Sequence, residues 1–234
     1  MAIPGLMQFR YTNLETCHKA TGLVIVIDVI RAFTNAAFAF GQGAECILPV
    51  SGVEEALTLK RQLPNALACG EVGGLPPEGF DFGNSPTQTQ LLDLRGRTIL
   101  QRTSAGTQGV TRSLRAEQML AASFVVAGAT VRYVKRLAPE TISFVITGQT
   151  SSAGGDEDLA CTEYLEACLR GQSPDAAPFL ERVRRSRDAQ QHFVPDQLLF
   201  PATDIDLCTD LDRFDFAMPI AREDGRFVMR AIHL

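Results

Sequence analysis

The strongest pattern along the chain is a run of five apolar positions, Leu23-Val24-Ile25-Val26-Ile27, closed by Asp28. An unbroken, β-branched run of this length reads as a strand buried on both faces, as in parallel sheets. Small and aromatic residues then recur at helical spacing from Arg31 to Gly41. Cys46 to Val50 is the next strand-like run, and a helix capped by Ser51 follows from Val53 to about Leu63. Ala66 to Gly70 reads as a short strand. Glu71 to Asn84 holds four glycines and two prolines and reads as a loop. Ser85-Pro86 has the form of a helix start, with Ser as cap and Pro in the first turn. Strand signals return at Arg97–Arg102, Gln118–Ala122 and Thr141–Thr147. Helical signals follow Thr103–Gly109 and cover Thr130–Leu137, Glu157–Leu169 (introduced by Gly154-Gly155-Asp156) and Pro178 to about Gln190. Phe214–Ile220 and Arg226–Ile232 form a hairpin pattern around Asp224-Gly225.

Strands alternating with helices predict one α/β domain over residues 1–234. The expected form has three layers: a largely parallel, mixed sheet with helices on both faces. The closing hairpin is expected to add antiparallel strands at an edge.

Composition narrows the function. Hydrophobic residues make up 45% of the chain, enough for a sizeable core and too many for a disordered protein. The formal net charge of −5 argues against a nucleic-acid binder, which needs basic faces. Of the 22 basic residues all but Lys19, Lys60 and Lys135 are Arg, whose fork suits planar anions. The six cysteines include no C-x-x-C pair and sit in apolar settings, which predicts free thiols in a reducing cytoplasm. The first residues show no signal-peptide pattern, and no apolar run approaches the ~20 residues that span a bilayer. A cytoplasmic protein with no membrane partner is expected.

Ligands of open α/β sheets sit beyond the carboxyl ends of the strands. Four polar segments fall there. Asp28 is a carboxylate after five apolar residues and needs a cation or donors; it reads as a metal ligand, a nucleophile, or the cap of the next helix. Arg31 could hold a phosphate at that helix's N-terminus. In the glycine-rich loop, Glu71 and Glu78 are hard oxygen ligands suited to Mg²⁺, or the water-facing acids of a structural loop. Asn84 and Ser85 read as a helix cap that can also take an anion. The turn Thr103-Ser104-Ala105-Gly106-Thr107 offers hydroxyls and closely spaced amides of the kind that cradle phosphate. Asp156, Glu157 and Asp158 favour a helix dipole, or hold a metal. The acids Asp204, Asp206, Asp210, Asp212 and Asp215 read as a solvated face with turns. There is no P-loop, no G-x-S-x-G elbow and no dinucleotide fingerprint, and Ile30 two positions after Asp28 rules out an Asp-x-Asp phosphatase motif on that strand.

Taken in order, VIDVIRAFT, GAECILPV, GEVGGLPPEGFDFGNSP, QRTSAGTQG, LAASFV and GGDEDLAC resemble the 2-phosphosulfolactate phosphatase family. The similarity runs from about Leu23 to Leu169, and the tail RFDFAMPI is also similar. The most specific part is the loop ending in FDFGNSP. Two departures stand out. Ala105 occupies a position where many members carry Asn, and the chain reads SFVVAGAT where members often have Asn.

The resemblance implies an α/β fold and a Mg²⁺-dependent phosphatase. Its substrate would be 2-phospho-3-sulfolactate or a related small anionic phosphorylated hydroxy acid, and its product leads toward coenzyme M. It implies Asp28, Glu71 and Asp158 as metal ligands and Asp28, Arg31 and Glu78 as catalytic residues. Arg31, Asn84, Ser85, Arg102, Thr103, Ser104, Gly106 and Thr107 would bind substrate, with Arg102 a candidate reader of the sulfonate or carboxylate end. A homodimer is compatible with this reading. The alternative is a non-catalytic anion-binding or regulatory protein on the same scaffold; Glu71, Glu78 and Asp158 favour the enzyme.

Overall fold

The computed structural model describes residues 7–148, 155–194 and 198–234. The chain forms β1 (Gln8–Asn13), β2 (Leu23–Ile27), α1 (Ala32–Gly41), β3 (Cys46–Pro49), α2 (Val53–Gln62), β4 (Ala66–Gly70), α3 (Pro86–Thr89), β5 (Thr98–Arg102) and α4 (Gly106–Arg112). It continues with β6 (Gln118–Ala122), α5 (Ala127–Leu137), β7 (Thr141–Ile146), α6 (Asp156–Leu169), α7 (Ala177–Arg185), α8 (Arg187–Gln190), α9 (Thr203–Cys208) and the strands β8 (Phe216–Glu223), β9 (Arg226–Met229) and β10 (Ile232–His233). The result is an α/β domain built on one mixed sheet, as the alternating pattern predicts. Of the residues introducing α6, Gly154 lies outside the described residues.

The sheet order is β1-β7-β2-β6-β8-β9-β3-β5-β4, with β10 pairing β8. The strands β1, β7, β2 and β6 form one parallel block, and β3, β5 and β4 form a second. Between them lies the β8–β9 hairpin, antiparallel to β6 on one side and to β3 on the other. The expectation of an edge hairpin is therefore corrected. In Phe216-Ala217-Met218 every side chain is buried: Phe216 and Met218 face one core cluster and Ala217 the other. A strand covered on both faces belongs in the interior of a sheet. Pro219, which has no N–H to donate, sits just where β8 changes neighbours from β10 to β9, and its carbonyl accepts from the amide of Arg230.

The two faces of β2 explain the layers. Val24 and Val26 pack with Phe33, Phe38 and Phe40 of α1, whereas Leu23, Ile25 and Ile27 pack with residues of α5 and α6. Helix α2 covers the outer face of the second block through Ala56 and Leu59. Helix α1 is buried from Ala32 through Phe40 and carries the chain from β2 to β3. Its sequence, AFTNAAFAF, is apolar except for Thr34 and Asn35, which are buried and hydrogen-bonded to the Val29 carbonyl and the Thr89 hydroxyl; it is that of a helix with no solvent face.

Several boundaries shift for local reasons. Gly52, not Ser51, caps α2; both the amide and hydroxyl of Ser51 donate to Glu55 instead. The predicted helix from Pro178 to Gln190 breaks at Ser186, whose side chain caps α8 by accepting from the Ala189 amide. Ser85 does cap α3, accepting from the Gln88 amide. All six cysteines are free thiols. Among the described residues, no helix is long and apolar enough to cross a membrane.

Candidate active site

The N-terminus of α1 is the meeting point of the chemistry. A cavity of about 240 Å³ opens there, lined by Asp28 and Arg31 at the end of β2, by Glu71 and Asn84 from the glycine-rich loop, and by Ala105 after β5. Its remaining wall comes from Asp188, Gln191 and Phe200 in the C-terminal segment. A larger apolar groove of about 540 Å³ lies where β2 and β6 begin, beside Leu23 and Gln118. Of its four charged side chains, Arg230 and Glu223 pair with each other at 2.7 Å, and it gathers none of the predicted site residues.

Asp28 is 5% exposed and its Oδ1 accepts from the Ala32 amide at 3.1 Å, so it caps α1. The turn around it is tight. A Cβ on Gly106 would stand 2.8 Å from Asp28 Oδ2 and 2.9 Å from Ala32 Cβ, which requires glycine at the start of α4. Gly106 therefore brings the turn after β5 against Asp28. Burial pushes the Asp28 carboxyl up to about 7, helped by the charges of Glu71 and Glu157 and opposed by amides of Ala32 and Gly106.

Asp158 lies directly behind. Its Oδ1 accepts from the Val29 amide at 2.7 Å, and its Oδ2 from the Gly148 amide at 2.8 Å and the Thr147 hydroxyl at 3.2 Å. Burial and the charge of Asp28 raise its carboxyl, and burial and Asp158 raise that of Glu157. A Cβ on Gly148 would stand 2.8 Å from Glu157 Oε1 and 3.1 Å from Asp158 Oδ2, so these two acids crowd the end of β7. Buried acids crowded in this way are short of positive charge.

Arg31 is 5% exposed. Its Nη1 donates to the Leu199 carbonyl at 3.0 Å and to Asp204 Oδ2 at 3.3 Å, its Nη2 reaches the Gly74 carbonyl at 3.5 Å, and its guanidinium lies 4.7 Å above the Phe200 ring. The Ile30–Arg31 peptide is cis. Glu71 is tied as firmly. Oε1 accepts from the Ser104 amide at 2.5 Å, and Oε2 from the Gly74 amide at 2.7 Å and the Ser104 hydroxyl at 3.0 Å. Asn84 is 7% exposed, and its Oδ1 is buried without a hydrogen-bond partner.

The structure thus gathers Asp28, Arg31, Glu71 and Asn84 on one cavity, with Ser104 and Gly106 in the shell around it. Other predicted residues are placed differently. Glu78, expected as a catalytic residue, is exposed on the loop and does not line the cavity. Arg102 donates to the Glu71 carbonyl at 2.8 Å and does not line the cavity, so it ties two segments together. The Thr103 and Thr107 hydroxyls serve each other's amides, at 2.8 and 3.0 Å, as a reciprocal cap of α4. The Ser104 amide, expected to face phosphate, instead holds Glu71. Ser85 gives its hydroxyl to Asp204 at 2.7 Å. Asp158 stands behind Asp28, its oxygens on backbone amides and the Thr147 hydroxyl. Among the described residues no group of three or more His, Cys, Asp or Glu is arranged to hold one metal ion.

The expectation for Asp204 is also corrected. It is fully buried rather than part of a solvated face, because Arg31, Ser85 and the Thr87 amide surround it. Asp188, Gln191 and Phe200 lie in a segment without a strand-end signal, and only the fold brings them to the cavity.

A sequence model of the 2-phosphosulpholactate phosphatase family matches residues 9–223. The chain belongs to this family. Its relatives include proteins named probable 2-phosphosulfolactate phosphatase from Bacillus subtilis (36% identical over 202 residues, 86% of this chain and 87% of the relative) and Carboxydothermus hydrogenoformans (33% over 221 residues, 90% and 91%). Another of the same name, from Thermotoga maritima, is 32% identical over 214 residues, covering 88% and 91%. The resemblance read from FDFGNSP and the other segments is thereby established across the domain. As a member of the 2-phosphosulfolactate phosphatase family the chain is a phosphoric monoester hydrolase. Arg31 beside buried carboxylates is a suitable arrangement for such chemistry, which needs phosphoryl charge neutralised as the ester bond breaks.

Proposed function

We propose that this cavity hydrolyses 2-phospho-3-sulfolactate, or a related 2-phospho-2-hydroxy acid, to the hydroxy acid and phosphate with Mg²⁺ as cofactor. This is the type of reaction that leads toward coenzyme M. The observation that carries the proposal is the convergence of Arg31, Asp28 and Glu71 on one small cavity, in a chain of this family. The donor set suits a hard cation. Asp28 and Glu71 offer carboxylate oxygens, and Asn84 offers a buried Oδ1 that nothing else satisfies. Mg²⁺ needs only one or two protein carboxylates and keeps several waters. When bound, the ion would polarise a phosphoryl oxygen and lower the pKa of water.

The chain's own residues do the rest. The Arg31 guanidinium, held by three acceptors and stacked on Phe200, binds phosphoryl oxygens without further reorganisation. Glu71, fixed by Ser104 and Gly74, sets the loop that closes one side. Asp158 holds the Val29 amide and so sets the course of the turn that carries Asp28. With Arg102 committed to the Glu71 carbonyl, the amides of Asn84 and Gln191 are the groups left to read the sulfonate or carboxylate end. The free thiols fit a reducing cytoplasm.

A substrate that fills both ends of the cavity should be strongly preferred, since remote binding contributes to rate as well as affinity. We expect kcat/KM for 2-phosphosulfolactate to exceed that for p-nitrophenyl phosphate by about 10²-fold or more. Equal values, measured as phosphate release under identical conditions, would refute the substrate assignment.

A further inference from the structure

We infer that Asp204 is a positioning residue for this phosphatase: it aims the Arg31 guanidinium into the cavity and, through Ser85 and Thr87, couples that guanidinium to the loop carrying Asn84. The inference rests on the proposed role of Arg31 in binding phosphate.

Asp204 lies 173 residues from Arg31 and has 0% of its surface exposed. Each oxygen has a separate task. Oδ1 accepts from the Ser85 hydroxyl at 2.7 Å and from the Thr87 amide at 3.1 Å. Oδ2 accepts from Arg31 Nη1 at 3.3 Å. Ser85 directly follows Asn84, the residue with the unsatisfied Oδ1. One carboxylate thus joins the β2–α1 turn, the start of α3 and the start of α9. Phe200 and the Leu199 carbonyl, from the same segment, complete the seat of Arg31. His192 adds no charge to it. Its Nδ1 lies 3.0 Å from the Pro201 carbonyl and 3.9 Å from Asp204 Oδ2, and burial holds the imidazole below its ordinary value, so it stays neutral.

Pure charge and positioning predict opposite results. A buried carboxylate beside Arg31 weakens the positive potential that an incoming phosphate meets. If charge alone mattered, removing it would tighten anion binding. If Asp204 positions Arg31, removing it weakens both binding and turnover. Asp204→Asn separates the two. The Asn Oδ1 still accepts from Ser85 and Thr87, while its amide nitrogen turns a donor toward the donor Nη1 and breaks only the Arg31 link.

The test is a double-mutant cycle of Asp204→Asn and Arg31→Ala. It reads kcat and KM for 2-phosphosulfolactate, affinity for inorganic phosphate, and melting temperature. We expect Asp204→Asn alone to lower kcat/KM by about 10–30-fold and to weaken phosphate binding. In the Arg31→Ala background it should cost less than about twofold. The double variant should melt above Arg31→Ala, which leaves Asp204 buried without its cation. Tighter phosphate binding by Asp204→Asn, or an equal loss in both backgrounds, overturns the inference. If Asp204→Asn does not fold, Ser85→Ala removes one anchor of Asp204 while keeping its charge and enters the same kinetic cycle: a loss in kcat/KM that shrinks in the Arg31→Ala background supports positioning, and unchanged kinetics, or an equal loss in both backgrounds, overturns it. Wild-type protein that binds phosphate without releasing it from any phosphomonoester refutes the catalytic reading, and the phosphate affinities then decide the role of Asp204. Wild-type protein that binds no phosphate overturns both.

Discussion

Asp28→Asn is expected to reduce turnover by about 10³-fold or more while making the protein more stable. The Asn side chain keeps an oxygen for the Ala32 amide, so the cap of α1 survives. What disappears is a buried negative charge next to Asp158 and Glu157, which raise one another's carboxyl values. Active sites often hold such unfavourable groups in place for function, and neutralising them raises stability at the expense of activity. A gain of one or two kcal/mol corresponds to about 3–6 °C in melting temperature for a chain of this size.

The sign of the pH dependence follows from the same group. In the unfolded chain Asp28 titrates at its ordinary value of 3.8, and in the folded chain at about 7. Folding is therefore favoured most below the unfolded value, and that contribution is lost as pH rises through the folded one. Without Mg²⁺, wild-type melting temperature should fall between about pH 4 and pH 7, and Asp28→Asn should show a shallower slope. Melting curves and phosphate release on the same samples check both parts. An active Asp28→Asn enzyme, or one that melts well below wild type, would contradict the role assigned to Asp28.

Arg31→Lys is expected to cost about 10²-fold in kcat/KM although the charge is kept. The guanidinium serves the Leu199 carbonyl, Asp204 and the Gly74 carbonyl from one planar group and stacks on Phe200. A lysine ammonium is a point charge and cannot repeat that fork or the stacking. Steady-state kinetics on 2-phosphosulfolactate test this, and near-wild-type activity would show that charge suffices.

Much of this was legible in the chain because the signals were local. Leu23–Ile27 is apolar at every position, and the strand it predicts is buried on both faces. Asp28 after that run, and the glycine-rich loop ending at Asn84, both reach the cavity. Residues whose role depends on distant partners were not legible. Asp204 sits among acids that look solvated, and its burial comes from Arg31 and Ser85, 173 and 119 residues away. Thr103 and Thr107 have the composition of a phosphate cradle, but their spacing also lets them cap each other. The hairpin at Asp224-Gly225 was visible from its turn. Its place between two parallel blocks depended on which strands flank it, and a turn motif carries no information about that. Strand β1 (QFRYTN) alternates weakly and pairs with β7 along one edge only, so its sequence pattern was faint.

The proposal that Asp28 and Glu71 hold Mg²⁺ for phosphate release is tested most directly by assaying the wild-type protein on 2-phosphosulfolactate after exhaustive dialysis against EDTA, and again after adding Mg²⁺. Chelation should lower phosphate release by about 10²-fold or more, and Mg²⁺ should restore it. Full turnover in EDTA, or none in saturating Mg²⁺, would contradict the proposed reaction.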